Sequence, residues 1–593
     1  MKIHLLFLLA ISVQAHGFSY KLNNDKNLSA GDRVKVAAIF EETQKLLPEN
    51  LKSAIPDVLV EFSGEDTQII IACDGTQAKA TKFLGKTTNI LGKKQISLNK
   101  AFLNHITLGP KDKIEYPCKH KNYFKEAIAT LAHETAHVYE MASDGRPSKS
   151  KVFRNNVFFN KNTLTERSAD PYEFSSYSES YAVNFEYFLM DPDFKCRKPS
   201  LYSFYADEFD QLPFQEIECN KTIKAKISAR SAYADFDIKR LYQIDYFLAG
   251  PGKALMSRFG HSMIRLVFCS PESKFGPDCL KDVSHHFILS FRANTGNSGS
   301  NYMYGMIGKF PSQLFVVPFS KVVDEYNRDE FRSLFAFPLK LTKDQKKKFL
   351  DHALESHWSY SGKYYFTHNN CAVETKQLIS AVLDEDHSFR KTKSPTPGDL
   401  KMDLFEHGLI DDPKLVKDHP STLYFPSKYK EELAIALEKV LPYINRPMDK
   451  LEDYLEETTA HEREEWFKKV SKDRKVQMSF YMLEQNILKR VNNKFGDAMN
   501  KLYKSKHIKP EDKVTIDQYL KLQSDLSPWF ALKNKAYGIP LEDEIDQKAA
   551  FEAHKKFFSG NETLVTVLRK YDETLVSDFL KTQENSKNFF WLK

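Results

Sequence analysis

The sequence predicts a multidomain α+β chain that ends in an all-helical region. Three observations carry this reading. Strand-like runs such as Val58–Phe62, Arg240–Leu248, His261–Phe268 and His285–Phe291 are interleaved with helix-like runs such as Asp32–Leu47, Tyr123–Met141 and Tyr177–Met190. From residue 427 onward only helical spacing remains, as in Leu433, Ala436, Leu437, Val440 and Leu441, cut into pieces by Pro442, Pro447 and Pro510. The length of 593 residues exceeds what one core holds, since domains average about 150 residues. The expected division is 1–15, 16–225, 226–426 and 427–593.

The first segment is a leader. Met1-Lys2 precedes an apolar run from Leu5 to Val13, and Val13-Gln14-Ala15 is a small-x-small cleavage pattern. The run is too short to span a bilayer, and no later stretch is long and apolar enough to do so. The mature chain is therefore expected to be soluble and periplasmic or secreted. With 86 Lys+Arg against 79 Asp+Glu, the net charge of +7 is spread thinly and interleaved in sign, which argues against a nucleic-acid partner. The 45 Phe and 28 Tyr argue against disorder.

Seven cysteines lie in this exported context: Cys73, Cys118, Cys196, Cys219, Cys269, Cys279 and Cys371. Nearest-neighbour pairing gives Cys73–Cys118, Cys196–Cys219 and Cys269–Cys279 and leaves Cys371 over. A leftover thiol is either a buried spare that packs as a small hydrophobe or a nucleophile.

The region 16–225 holds the first chemical motif. The stretch runs Leu131-Ala-His133-Glu134-Thr-Ala-His137. Histidines at i and i+4 project from one helical face, and Glu134 between them is placed as the general base that such sites use to activate water. This is the HExxH pattern of zinc metallopeptidases, and zinc is the expected cofactor. A third protein ligand is needed. The stretch Ser178-Glu179-Ser-Tyr-Ala182-Val-Asn-Phe-Glu186 resembles the second-helix motif of gluzincin-type peptidases, which implies a zincin-like domain with Glu179 as that ligand. Glu186 is placed to orient one of the histidines. A metzincin continuation would need Gly and His where Glu140 and Ser143 stand.

The region 226–426 holds the second motif, in three pieces: Gly260-His261-Ser-Met-Ile-Arg265, Ser284-His285-His286-Phe-Ile-Leu-Ser290-Phe291 and Asn369-Asn370-Cys371-Ala-Val-Glu374. Thiol catalysis needs a thiolate, a base and a group that orients the base. Cys371 is expected to open a helix, with Thr367, Asn369 or Asn370 near its cap, where the helix terminus lowers a thiol pKa. His261 supplies the base. The orienting group is His285 or His286; strand alternation turns only one of them inward, and His286 is preferred.

The order histidine first, cysteine last resembles the circularly permuted papain-like families, which include lecithin retinol acyltransferase. Further stretches sharpen this: Ala249-Gly-Pro-Gly-Lys253, Leu289-Ser-Phe-Arg-Ala-Asn294, Val317-Pro-Phe319, Glu325-Tyr-Asn-Arg328 and Tyr364-Tyr-Phe-Thr-His-Asn-Asn-Cys371. Together these resemble the Lnb N-terminal periplasmic domain family over residues 236–385. Lnb proteins are bacterial lipoprotein acyltransferases. The resemblance implies a permuted papain-like fold and a thioester route: Cys371 takes an acyl group, His261 shuttles the proton, and an amine or water resolves the thioester. Those acyltransferases are membrane-embedded beyond this domain, whereas this chain continues into a helical tail. Amide or ester hydrolysis therefore stands beside acyl transfer. The expected function is a cell-envelope thiol acyltransferase or hydrolase with a zinc-binding, metallopeptidase-like domain, acting on a lipid, lipoprotein or peptide. The alternatives are a secreted zinc metallopeptidase whose thiol-fold domain binds substrate, and a non-catalytic envelope scaffold. The tail is expected to pack or to bind a protein partner.

Overall fold

A computed structural model describes residues 18–590 apart from 24, 65–83, 91, 107–122, 144, 158–169, 228–232, 253–256, 294–309, 361, 385, 420–421, 449, 471–472, 525–536 and 542–543. The leader, Cys73, Cys118, the strand expected from Thr67 to Ala72 and the Gly/Asn-rich stretch 294–308 lie outside the described residues. The chain divides into two compact units. One comprises residues 1–157 with 168–219, the other 158–167 with 220–593.

The first unit is α+β. Strands β1 (Tyr20–Leu22), β2 (Val58–Ser63), β3 (Gly85–Ile90) and β4 (Lys93–Asn99) form a sheet in the order β1-β2-β4-β3. β1, β2 and β4 run parallel, and the edge strand β3 is antiparallel to β4. β2 buries every second side chain, Val58, Val60 and Phe62, as a half-buried strand must. The helix Tyr123–Ala142 packs on β3 and β4, turning Thr130 and Glu134 toward β3. Gly85 is where strand and helix come closest: a Cβ there would meet Thr130 and Glu134 at 2.7 and 2.8 Å. Residues 143–162 read as a loop from their Asn, Lys and Ser content, yet Lys151–Val157 is helical. Burial of Phe153 against Tyr181 and Phe204 overrides the weak local propensity. The disulfide Cys196–Cys219 closes this unit.

The second unit is built on a sheet in the order β12-β10-β9-β8-β7-β11-β13. Its strands are β7 (Leu241–Ala249), β8 (His261–Phe268), β9 (His286–Ala293), β10 (Phe310–Pro318), β11 (Leu334–Pro338), β12 (Gly362–Tyr364) and β13 (Tyr424–Phe425), with a small hairpin of β5 (Ile223–Lys226) and β6 (Tyr233–Phe236) beside it. All its described pairings are antiparallel. One face packs Ile264, Leu266, Leu289 and Phe291 against the helices Lys343–Ser359, Cys371–Ser380 and Pro397–Glu406. The other face carries Phe247, Met263, Ile288 and Phe319. The loop between β8 and β9 is closed by the disulfide Cys269–Cys279.

The tail belongs to this second unit. Ile539 and Ile545 enter the same core as Phe349 and Trp358, and Ser427 bonds Asn327 and Ser333. The expected boundary at 426 is thus crossed by a shared core, to which the segment between the helices Pro510–Ser524 and Gln547–Arg569 supplies two apolar side chains. Within the tail, Arg463 is fully buried. It donates to Glu484 at 2.7 Å, to the Thr458 carbonyl at 2.6 Å and to Thr582 at 2.8 Å. Asn585 donates to the Ala460 carbonyl, and Asp578 accepts from the Ala460 N–H. Among the described residues, no helix is long and apolar enough to cross a membrane.

Candidate functional site

Each unit holds one cluster of chemically competent side chains. In the first, His133 and His137 leave one face of the helix Tyr123–Ala142 and meet Glu179 from the first turn of the helix Tyr177–Met190, whose N-terminus is capped by Ser176. The Nε2 atoms of the two histidines are 3.2 Å apart, and each is 3.1 Å from Glu179 Oε2. Four-coordinate zinc with arms of about 2.0–2.1 Å sets its ligand atoms roughly 3.3 Å apart, so the three atoms are spaced for one small cation. Glu186 Oε1 lies 2.6 Å from His133 Nδ1 and fixes that ring. Ser178 Oγ lies 3.2 Å from His137 Nδ1 and donates to Glu140.

The electrostatics of this cluster are those of imidazoles paired with carboxylates. Burial works against ionisation of Glu179, yet the two imidazoles hold its carboxyl well below the usual carboxylate range. Burial likewise works against protonating His133, and Glu179 and Glu186 outweigh it, raising the imidazole well above its ordinary value. Glu134 accepts a 2.6 Å hydrogen bond from Thr87 of β3. Tyr172, on the turn Pro171–Phe174, sets its ring 6.2 Å from His133, and burial together with nearby Glu179 pushes its phenol up to about 12. That turn is anchored by buried Glu173, held by Lys198 and Asn184. Sequence reasoning passed over Thr87 and Tyr172, because neither stands at a motif spacing.

In the second unit, Cys371 is a buried free thiol and the first residue of its helix. Asn370 caps that helix: its Oδ1 accepts from Ala372 and Val373 N–H, and its Nδ2 donates to the carbonyls of Phe366 and Pro395. The backbone N–H groups of Ser262 and Ala372 face the thiol, so it lies one peptide from His261. His261 opens β8, and its Nε2 is 2.9 Å from Ser290 Oγ. Ser290 also accepts from Arg292 Nε, and Arg292 is held by Glu325. Tyr326 stacks on the imidazole, with centroids 6.1 Å apart. No hydrogen bond joins Cys371 to His261 among the described residues.

Two expectations about this site need correction. The residue against His261 is Ser290, not His285 or His286. Antiparallel register is the reason: Val267 pairs with His286 and Ile264 with Leu289, so the start of β8 faces the end of β9. His286 instead places Nε2 2.9 Å from the Cys279 carbonyl, and His285 closes the turn before β9. The second correction concerns charge. Burial outweighs the helix terminus and pushes the Cys371 thiol up to about 11. Burial, reinforced by Arg292 and Arg332, holds His261 well below its ordinary value. The resting pair is a neutral thiol beside a neutral imidazole.

Comparison with known proteins agrees with this division of the chain. Residues 229–404 match the family described as the Lnb N-terminal periplasmic domain. Residues 19–157 and 148–218 match a family described as a domain of unknown function, DUF7844. No curated protein and no solved structure matches the chain.

Proposed function

We propose that this is an exported cell-envelope protein whose second unit carries a thiol acyl-transfer or hydrolysis site. The observation that carries the reading is the contact between His261 Nε2 and Ser290 beside the helix opened by Cys371. With Nε2 so engaged, Nδ1 is the nitrogen left to serve the thiol. The reaction starts from the neutral pair. Cys371 Sγ attacks the acyl carbonyl as its proton passes to His261 Nδ1. The tetrahedral adduct collapses to a thioester, and the imidazolium returns the proton to the departing alcohol or amine. An amine or water, deprotonated by His261, then attacks the thioester, and the imidazolium returns that proton to the departing sulfur of Cys371. Ser290 keeps the ring oriented through both halves. The substrate is an acyl ester or amide of the envelope: a lipid, lipoprotein or peptide.

A second reading is favoured by the convergence of His133, His137 and Glu179. These residues fit zinc, with Glu186 and Ser178 orienting the rings. A zinc ion held there supplies Lewis acidity at the site. Glu134, steadied by Thr87, would take a proton from an attacking water, and the domain would act as a metallopeptidase.

The two readings separate experimentally. An acyl-donor probe should form a thioester at Cys371 that hydroxylamine cleaves and that Cys371→Ser lacks; an unlabelled wild-type thiol sinks the first reading. Purified protein should carry one zinc per chain and His133→Ala none; metal-free wild type after reconstitution sinks the second. Failure of both leaves the scaffold.

A further inference from the structure

The thiol helix carries a buried titratable group that the chemistry above does not use. Glu374 stands one turn after Cys371, in the first turn of the same helix, and is fully buried. Its carboxyl is shared by three partners from three places in the chain. Ser312 Oγ of β10 is 2.6 Å from Oε2. Tyr360 Oη, at the end of the helix Lys343–Ser359, is 2.5 Å from Oε1. Asn369 Nδ2 is 3.2 Å from Oε1. Asn369 also donates to the Lys363 carbonyl of β12, and its backbone pairs with Tyr365. The short turn from Tyr365 to Asn369 leads straight into Asn370 and Cys371, so the carboxyl clasps that turn to the edge of the sheet. Gly362 shows how closely the clasp is fitted: a Cβ there would sit 2.0 Å from the Tyr360 hydroxyl.

No Lys, Arg or His contacts Glu374 among the described residues. The titratable groups around it are Tyr360, Tyr364 of β12 and Cys371 itself. An ionised carboxylate here would be a buried charge without a counter-ion, which proteins avoid by keeping the group neutral. The helix terminus favours the charged form, but only weakly and only near the first turn. Both hydroxyls in the cluster can accept as well as donate, so a protonated carboxyl is fully satisfied by the same partners. Burial pushes the Glu374 carboxyl up to about 8.

We propose that Glu374 is a positioning residue of the thiol site: as a neutral carboxylic acid sealed in with Ser312, Tyr360 and Asn369, it fixes the turn that presents Cys371 and spares the thiol a second buried charge. This rests on Cys371 being the working nucleophile. Above the pH at which Glu374 loses its proton, a carboxylate one turn from Sγ opposes thiolate formation.

The full-length protein provides the test, with two readouts that do not depend on catalysis. The first is the infrared band of a protonated carboxyl. It should be present at neutral pH, fade as the pH passes about 8 and be missing in Glu374→Gln. Tyr360→Phe removes one donor from the charged form and should move that fading to higher pH. The second readout is the rate of iodoacetamide alkylation at Cys371 against pH, followed by peptide mass. Glu374→Gln keeps the hydrogen bonds without the charge. Its alkaline limb should rise at lower pH, giving alkylation roughly tenfold faster than wild type there, the effect of one pK unit. Glu374→Ala breaks the clasp, and Gln but not Ala should preserve a single, site-selective modification. Superimposable wild-type and Glu374→Gln profiles, or no carboxyl band at neutral pH, would overturn the proposal. The acyl probe answers separately: if it fails while these profiles separate as stated, the nucleophile reading falls and the neutral clasp stands.

Discussion

The two clusters solve opposite electrostatic problems. In the first unit, His133, His137, Glu179 and Glu186 gather opposite charges within hydrogen-bonding distance, so the imidazoles and the carboxylates beside them favour each other's ionised forms. In the second, Cys371 and His261 are each forced toward neutrality, one by burial and the other by burial with two guanidinium groups. The contrast teaches what each site lacks. The first lacks an isolated charge, because imidazole and carboxylate offset one another. The second lacks a resting charge on either partner.

This comparison can be broken at either end. The largest effect should come from Cys371→Ala, which removes thioester formation altogether, a loss of roughly a thousandfold or more in acyl transfer; a variant retaining most of its turnover would place the chemistry elsewhere. Next, alkylation of wild-type Cys371 should keep climbing from neutrality to beyond pH 9 without levelling, slowed only where Glu374 loses its proton near 8, since a thiol held near 11 stays protonated throughout that range. A plateau near neutral pH would mean a resting ion pair and would erase the contrast. Glu186→Gln should keep the fold but weaken zinc binding by about 10–100-fold in a competition titration, because the His133 ring loses its carboxylate partner. Ser290→Ala should cost about tenfold in acyl transfer while leaving thiol alkylation near the wild-type rate, as expected of a group that orients the base.

A further effect is on stability. Glu374 binds its proton more tightly in the folded state than in the unfolded one. Its contribution is therefore fully present below about pH 4.5 and drains away as pH rises toward about 8. Thermal midpoints of Glu374→Gln should lack that decline. A parallel pair of curves would show that the carboxyl is charged in both states.

Much of this was legible in the residues themselves. Alternation in Val58–Phe62 and in the strands at 241–249, 261–268 and 286–293 announced the sheets, because the pleat repeats every second residue. The i, i+4 histidines and the Glu179-x-x-Ala182 stretch put three candidate ligand atoms on two helices, and the fold brings those atoms together. The nearest-neighbour disulfides Cys196–Cys219 and Cys269–Cys279 form, and Cys371 stays free. What was not legible depended on register and on burial. Alternation puts His286, Ile288, Ser290 and Arg292 on one face; only the pairing of Val267 with His286 says which of them meets His261. The thiol pKa was misjudged because the helix terminus is visible in sequence, whereas the packing that desolvates Cys371 is not. Whether the tail packs or binds a partner stayed open because a stripe of Leu and Val does not reveal which surface it covers.

The buried guanidinium of Arg463 has a consequence for how the second unit assembles. Its partner Thr582 lies 119 residues downstream, and Ala460 is held by Asp578 and Asn585 at separations of 118 and 125. A chain that has emerged only as far as Lys570 thus owns a charged core residue that has Thr458 and Glu484 but still lacks Thr582. Helices 451–457 and 460–468 should remain open to proteases until 573–590 docks, which makes closure of the bundle a late event of long-range contact formation. Arrested chains of increasing length, challenged briefly with protease, should become resistant in one step when that last helix is free of the ribosome.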